Sequence, residues 1–485
     1  MKRARKVDRR GFLRETAIAG ATLAVSGSLV RASAEVAEHP EGAAAAGRPH
    51  VVIFLADDLG WNDVGFHGSE IETPNLDRLA AAGVRLNQFY VQPVCSPTRS
   101  SLLTGRYPIR QGLQVGVVRP WAQYGLPLDE RTLPQALKEI DYRTAIVGKW
   151  HLGAHEPGHL PTRRGFDHQY GHYLGMIDYF THERMGGLDW HRDDKVLCEE
   201  GYTTNLIARE AVRVVKGHDL SRPLLLYVAF NAPHTPLQAP QRYIERYGQI
   251  RGEKRRIFAA MVTCMDEAVG HVLAALGERG MRDNALVFFC SDNGGPVGNG
   301  ANNDPLRAGK GTLYEGGVRV PAVMTWPGTL PAGKVVDEPL HMVDIYPTLL
   351  KLTGASLDQP LPLDGLDAWP TIAAGKPSPR TEILHNVEPR RGAVRRGDWK
   401  LIVTAQKDQV VFAPTLTGSA RTTELFNIAE DRSEKTNLAE RHPQKVEELM
   451  ARLNDYAKQA VAPKGTYSGT RPPDFTIPKV WGESE

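Results

Sequence analysis

Two uninterrupted apolar runs of strand length, 50–55 and 285–290, each break off on a cluster of oxygen-bearing side chains: Asp57-Asp58 after the first, Ser291-Asp292-Asn293-Gly294-Gly295 after the second. A run without polar alternation fits a strand buried on both faces, as in parallel sheets covered by helices on either side. Other segments repeat the pattern. Helical periodicity is expected over 74–82, with Thr73 as N-cap, Pro74 in the first turn and Gly83 as the stop, and again over 133–140, 204–215 and 256–276. Strands are expected at 144–148 and 224–230. The alternation predicts an α/β fold, a central, mostly parallel sheet flanked by helices. After a stretch rich in Pro and Gly at 360–379, segments 399–404 and 424–426 read as strands of a smaller C-terminal α+β domain, with a helix over 442–457 packed on it. No internal repeat is visible.

The division expected from this pass is a leader at 1–34, a flexible tail rich in Ala, Gly and Glu at 35–48, a catalytic domain at 49–370 and a smaller domain at 371–485. The leader holds eight basic residues against two acidic ones, the pair Arg9-Arg10 followed by Gly-Phe-Leu, an apolar stretch from Thr16 to Val30, and Ala32-Ser33-Ala34. That order describes a secretory signal of the twin-arginine type, which implies the twin-arginine export machinery as a partner and a periplasmic or secreted location. No later stretch reads as long and apolar enough to span a bilayer, so stable membrane insertion of the mature chain is not expected. The formal charge of +3 leaves −3 on the remainder once the leader's +6 is set aside, which gives no electrostatic case for nucleic-acid binding. Cys95, Cys198, Cys264 and Cys290 lie too far apart for a Cys-x-x-Cys site and are too few for a disulfide scaffold; Cys264 and Cys290 read as small buried hydrophobes.

In open α/β sheets ligands bind beyond the carboxyl ends of the strands, so Asp57-Asp58 and Asp292-Asn293 are candidate ligands for a metal. Each has an alternative as a cap or an Asn-Gly turn. Together, three carboxylates and an amide suit calcium or magnesium and match neither zinc nor copper. The third cluster is Cys95-Ser96-Pro97-Thr98-Arg99, running on to Leu103-Thr104-Gly105. It puts Cys95 near a helix N-terminus, which favours anions, with a guanidinium one turn later whose fork suits sulfate or phosphate oxygens.

The longer pattern resembles the signature of the sulfatases, in which Cys-x-Pro-x-Arg precedes Leu-Thr-Gly and the cysteine is oxidised to formylglycine; Thr98 stands where many members have Ser. Gly148-Lys149-Trp150-His151-Leu152-Gly153 resembles the family's second signature, and Asn231 to Pro236 around His234, and Lys310 before Glu315-Gly316-Gly317, resemble its other active-site segments. The likeness runs over about 49–400 and is most similar to the arylsulfatase B group, through 127–130, 161–167, 265–269 and 384–386. It implies an alkaline-phosphatase-like fold and hydrolysis of a sulfated sugar or an aryl sulfate. It also implies a formylglycine-generating enzyme acting on Cys95 and one calcium, with magnesium possible, held by Asp57, Asp58, Asp292, Asn293 and the modified Cys95. Arg99, Lys149 and Lys310 would neutralise sulfate oxygens, His234 with Lys310 would protonate the leaving oxygen, and His151 would help release sulfate. Tyr90, Gln92, Trp121, Tyr173, Asp178, Tyr179, His182 and Glu183 are candidates for a sugar-sized pocket. The rival readings are a phosphonate or phosphodiester hydrolase of the same fold, and a sulfated-glycan-binding protein without catalysis.

Overall fold

The computed structural model describes residues 47–405, 421–467 and 469–483. The leader expected over 1–34, and the expected tail up to residue 46, lie outside the described residues. In chain order the first eight strands are β1 (His50–Ala56), β2 (Val84–Tyr90), β3 (Arg143–Lys149), β4 (His168–His172), β5 (Glu183–Arg184), β6 (Gly187–Leu188), β7 (His191–Arg192) and β8 (Lys195–Val196). There follow β9 (Leu224–Ala229), β10 (Ala285–Ser291), β11 (Ala322–Thr325), β12 (Lys334–His341), β13 (Glu382–Glu388), β14 (Arg391–Arg396), β15 (Trp399–Ala405) and β16 (Arg421–Asn427).

Ten strands form one sheet in the order β12-β2-β11-β10-β1-β9-β3-β4-β7-β8. The centre, β10-β1-β9-β3-β4, is parallel throughout. β11 and β7 run antiparallel to their inner neighbours, and β12 pairs parallel with β2 at one margin. The expected sheet is thus parallel where the apolar runs lie and mixed at its margins.

Strand periodicity divides the interior into two cores. Val52, Phe54 and Ala56 of β1 face one side, with Leu206 and Ile207 of the helix Thr203–Lys216 and Phe258 and Val262 of the helix Glu253–Glu278. Val51, Ile53 and Leu55 face the other, with Leu102 and Leu103 of the helix Cys95–Thr104 and Leu133 and Leu137 of the helix Leu133–Lys138. Each such side chain, wholly withdrawn from water, contributes about 1.5–3 kcal/mol. The helix expected from Thr73 covers Pro74–Ala81 with Pro74 in its first turn, but the Thr73 hydroxyl does not cap it. That hydroxyl accepts from the Gly65 amide (2.7 Å) and donates to Asp77 (3.1 Å).

One expectation is corrected. Glu253–Glu278 is long and apolar enough to cross a membrane by length and composition, with a hydropathy of 1.4 over an 18-residue window. Of that window 67% is buried inside the fold, so the helix is apolar because it lies between the sheet and neighbouring helices.

The strands β13-β14-β15-β16 form an antiparallel meander. The helix Pro443–Gln459 lays Leu449 and Leu453 on Leu384, Val394, Leu401 and Val403 of that sheet. Lys400 of β15 reaches Glu315 and Glu434, each at 2.9 Å, and all three side chains are fully buried or nearly so.

Candidate active site

Four parallel strands bring their carboxyl ends to one edge of the sheet, and each delivers residues singled out in the sequence. Asp57 and Asp58 follow β1, Asp292 and Asn293 follow β10, β3 ends on Lys149 with His151 two residues on, and β9 leads to Asn231 and His234. Cys95 is the first residue of a ten-residue helix, every residue of which is buried. The Thr98 hydroxyl accepts from the Gln92 amide (3.0 Å) and lies 3.2 Å from the Gln92 carbonyl, while Ser96 accepts from the Val118 amide (3.1 Å). The first turn is thereby tied to the loops on both sides of it.

Lys310 enters from the loop before Glu315–Val318. A Cβ on Gly294 would lie 1.7 Å from the Gly316 carbonyl oxygen, and the Gly294 amide donates to Gly317 (3.0 Å), so the two glycine-rich segments cross with no room for a side chain.

The Cys95 thiol donates to Asp57 Oδ1 (3.4 Å), and Lys310 Nζ lies 3.5 Å from its sulfur. Lys149 Nζ meets Asp57 Oδ2 at 2.5 Å, Lys310 Nζ meets Asp58 Oδ1 at 2.5 Å, and Arg99 grips Asp292 Oδ2 through Nε (3.2 Å) and a terminal nitrogen (2.9 Å). His234 Nε2 stands 3.6 Å from Asp58, and its Nδ1 lies 2.7 Å from the Thr235 carbonyl. His151 occupies left-handed backbone (φ 60°), with Nε2 3.0 Å from the Val118 carbonyl. Asp57, Asp58, Cys95, Arg99, Lys149, His234, Asp292, Asn293 and Lys310 are thus joined by contacts at one place, and His151 lines the same cavity as Cys95.

Charge orders the site. Burial opposes ionisation of Asp57, but Lys149, His234, Arg99 and Lys310 hold it well below the usual carboxylate range. Asp292 is pushed up to about 7 by burial and by Asp57 beside it, against the pull of Arg99 and Lys149. Burial, Asp292 and Asp57 push the Cys95 thiol up, so the chain's own groups do not turn it into a thiolate. Burial lowers both histidines: Lys149 and Arg99 add to the effect at His151, and Lys310 adds to it at His234 against the opposing pull of Asp58.

Ligand atoms of Asp57, Asp58, Cys95 and His234 all lie within 4.8 Å of one another, and Asn293 Oδ1 is buried without a partner. An orphaned amide oxygen beside two carboxylates fits a hard cation. The cluster adds His234, which the sequence suggested only for proton transfer. Asp292 stands outside it, with its oxygens on Arg99 and on the Asp58 amide (3.3 Å).

A cavity of about 280 Å³ is lined by Cys95, His151, His234 and Lys310, and also by the half-buried Met176 and Arg184 and the exposed Arg119. The last three were not anticipated: they sit in loops and a two-residue strand, without periodicity or motif. Of the pocket candidates, Trp121 lines an adjoining cavity together with Tyr173, whose ring is buried against His191. Tyr90 is committed to Glu315 and Arg395, Asp178 to the Phe180 and Thr181 amides, and His182 stacks on Trp190. Gln92 is buried beside His341, and Glu183 is exposed on the hairpin that carries Arg184. The Tyr179 hydroxyl lies 2.6 and 2.8 Å from the Asn231 and His234 carbonyls and so supports the His234 loop from beneath.

A family model described as Sulfatase matches residues 49–355. Arylsulfatase J of Mus musculus is 40% identical, over 91% of this chain and 81% of its own length; arylsulfatase A of Bos taurus is 36% identical over 82% and 84%. Among solved structures, Ps i-CgsB superposes with a TM-score of 0.79 at 35% identity, covering 87% of this chain and 95% of that one. A phosphonate monoester hydrolase of Agrobacterium radiobacter, at 20% identity and a TM-score of 0.61, shares the fold. These matches do not single out the arylsulfatase B group. With a buried cysteine at a helix start, a carboxylate cluster suited to a cation and basic residues closing around both, the chain belongs to the sulfatase family, whose members hydrolyse sulfate esters with a metal ion and a formylglycine.

Proposed function

We propose that this chain hydrolyses sulfate monoesters of a carbohydrate or an aryl alcohol at Cys95 after its conversion to formylglycine, with calcium as the metal. The observation that carries the reading is the position of Cys95, buried between Asp57 and Lys310 and lining one cavity with His151 and His234. Hydrated formylglycine supplies two hydroxyls on one carbon, one to attack sulfur and one to let sulfate go. Asp57, Asp58, Asn293 and the modified side chain, with Asp292 once an oxygen turns from Arg99 or the Asp58 amide, would hold the metal, which would supply Lewis acidity there.

The chain's own groups do the remainder. Arg99, Lys149 and Lys310 fix the charge pattern that the sulfate meets, and Lys310 faces both the nucleophile's position and the cavity. As the sulfur–oxygen bond of the ester breaks, the leaving oxygen takes a proton from His234 or Lys310, which stand on the cavity side. His151, kept neutral by burial and by Lys149, accepts the proton that must leave for sulfate to be released. A solved structure of Ps i-CgsB, at 34% identity, is a complex with k-i-k-neocarrahexaose, which supports a glycan as the substrate class. The leader at 1–34 supports twin-arginine-type export to the periplasm or beyond of protein already modified by a formylglycine-generating enzyme.

The test is mass spectrometry of the Cys95 peptide from protein co-expressed with a formylglycine-generating enzyme, paired with sulfate release from an aryl sulfate. A loss of about 18 Da, as an aldehyde nucleophile requires, with activity that tracks it, is the expected result. Turnover by the unmodified thiol, or turnover of phosphate diesters well above that of sulfate monoesters, would overturn it.

A further inference from the structure

We propose that Arg119 and Arg184 form a second anion-binding position on the wall of the Cys95 cavity. The enzyme would then select glycans that carry another sulfate or carboxylate beside the ester it cleaves. The inference rests on the sulfatase reading and extends it from the bond broken to the molecule chosen.

Arg119 and Arg184 both line the cavity that holds Cys95, His151, His234 and Lys310, and the Arg119 guanidinium packs against the backbone of Gly469 in the C-terminal segment, where a Cβ would lie 2.7 Å from its terminal nitrogen. Among the described residues, no ion pair and no side-chain hydrogen bond joins either guanidinium to a carboxylate, in contrast to Arg106, Arg110, Arg380 and Arg452. Burial and the charge of Arg119 lower the proton affinity of Arg184, so the two cations feel each other. The carboxylate that Arg184 feels, Asp189, already accepts from the Tyr173 and Leu174 amides at 2.9 and 2.8 Å. Two guanidiniums on one cavity wall without a directly paired carboxylate gain from a shared anion, and their forks match sulfate and carboxylate oxygens.

The position is built rather than incidental. Arg184 sits on a hairpin of β5 and β6, turned through Met185 (φ 57°) and Gly186 (φ 90°). The C-terminal segment clamps that hairpin: Leu188 pairs with Val480, the Leu188 amide donates to Lys479 (2.9 Å), and Trp481 Nε1 donates to the Arg184 carbonyl (2.9 Å). The same segment reaches the Arg119 loop, since the Phe475 ring lies 6.1 Å from Trp481 and 6.3 Å from Trp121. Beyond Arg119 opens the adjoining cavity of about 370 Å³, which shares Arg119 and His151 with the first. Its wall includes Trp121, Phe475 and Trp481, with Glu483 as its acidic member. A half-buried aromatic edge leading away from a sulfate pocket gives the next sugar ring an apolar face to rest on.

The experiment measures inhibition of aryl sulfate turnover by three probes: glucose 6-sulfate with one anion, sucrose octasulfate, and a galacturonate trimer bearing only carboxylates. Wild type should favour sucrose octasulfate over glucose 6-sulfate by a factor well above the statistical gain from its extra sulfates. The double variant R119Q/R184Q should cut that ratio by about tenfold, and R119K/R184K should restore much of it, because charge without the fork retains part of the attraction. Inhibition by the galacturonate trimer that vanishes in R119Q/R184Q identifies carboxylate as an accepted anion; its absence in wild type restricts the position to sulfate. A ratio unchanged in R119Q/R184Q overturns the proposal, as does a lysine pair that behaves like the glutamine pair. If modified wild type releases sulfate from neither an aryl sulfate nor a sulfated glycan the sulfatase reading fails, whereas calorimetric titration with sucrose octasulfate still reads the arginine pair on its own.

Discussion

Replacing Lys310 by Met separates catalysis from architecture at this site more cleanly than any other single change. Its ammonium meets Asp58 at 2.5 Å and the Cys95 sulfur at 3.5 Å, yet 20% of the side chain is exposed to the cavity. Methionine keeps the apolar stem and removes the charge. Asp58 retains a hydrogen bond from Asn293 Nδ2 at 2.8 Å, so the structural loss is that of one partner of a buried group, about 1–3 kcal/mol. A fold with about 5–15 kcal/mol of stability survives that. The loss in rate is larger, because a donor aimed at developing charge in a water-poor site is worth about 10²–10³ in kcat, or about 2.7–4 kcal/mol.

The assay is initial-rate kinetics of Lys310→Met on an aryl sulfate, with a thermal melt, metal analysis and mass spectrometry of the Cys95 peptide on the same preparation. Lys310 lies 215 residues from Cys95 in sequence, so a modifying enzyme that reads the local Cys-x-Pro-x-Arg should convert both proteins equally. The expected outcome is full modification, a modest drop in melting temperature and a fall in kcat of the stated size. Wild-type kcat would refute the reasoning, and so would a fall that matches, mole for mole, a loss of bound metal.

Three further perturbations test other parts of the structure. A Cβ on Gly175 would lie 2.4 Å from His151 Nε2, so Gly175→Ala should displace that ring and lower kcat by about tenfold or more with little change in melting temperature, as read by rates and melts side by side. Lys400→Met removes the cation that buried Glu315 and Glu434 share, leaving Glu315 with Tyr90 and Arg319 but Glu434 without a cation, and should cost about 3–5 kcal/mol in denaturant unfolding, with Glu434→Gln milder because burial already pushes that carboxyl up to about 7. His168 lies 2.8 Å from both Asp193 and Glu210; burial opposes its charge, but the two carboxylates raise its pKa above the usual 6.5 of histidine. Its stabilisation is therefore complete below about pH 6.5 and is lost as pH rises through the raised value, while that of Glu210, lowered from 4.5 to about 2 against burial by His168 and Arg213, is lost only as pH falls toward 2. The stability gap between wild type and His168→Gln should accordingly shrink as pH rises from about 6.5 through the raised pKa of His168.

How far the sequence carried depends on which elements have a periodic signature. β1 and β10 are apolar at every position because helices cover both faces, and their ends announce the metal cluster. β2, with half-buried positions in its pattern, and the four-residue β11 carry no such run, and their pairing is decided by neighbours distant in the chain. The active-site residues were legible because Cys95, Lys149, His234 and Lys310 stand in strict local motifs. Arg119 and Arg184 were not, because their meaning comes from meeting across a cavity and from a C-terminal segment that reads as loop. Tyr179 inverts the lesson: an aromatic in a loop suggested a sugar contact, but its hydroxyl was needed beneath two strand-end carbonyls.

The charges at the strand ends account for the choice of substrate group. Asp57, Asp58 and Asp292 face Lys149, Lys310 and Arg99 in three close pairs, so the chain's own charges cancel and each carboxylate already has a partner. A divalent cation added to a balanced site leaves an excess of two positive charges in a space nearly closed to water, where they are poorly screened. That excess suits a sulfate ester, and it also suits sulfate itself as product. An added ion would thus deliver net positive charge at the strand ends, while Arg119 and Arg184 line another part of the same cavity wall without a paired carboxylate among the described residues. A substrate that satisfies both must carry negative charge at two places, which a simple aryl sulfate does not do and a multiply charged glycan does.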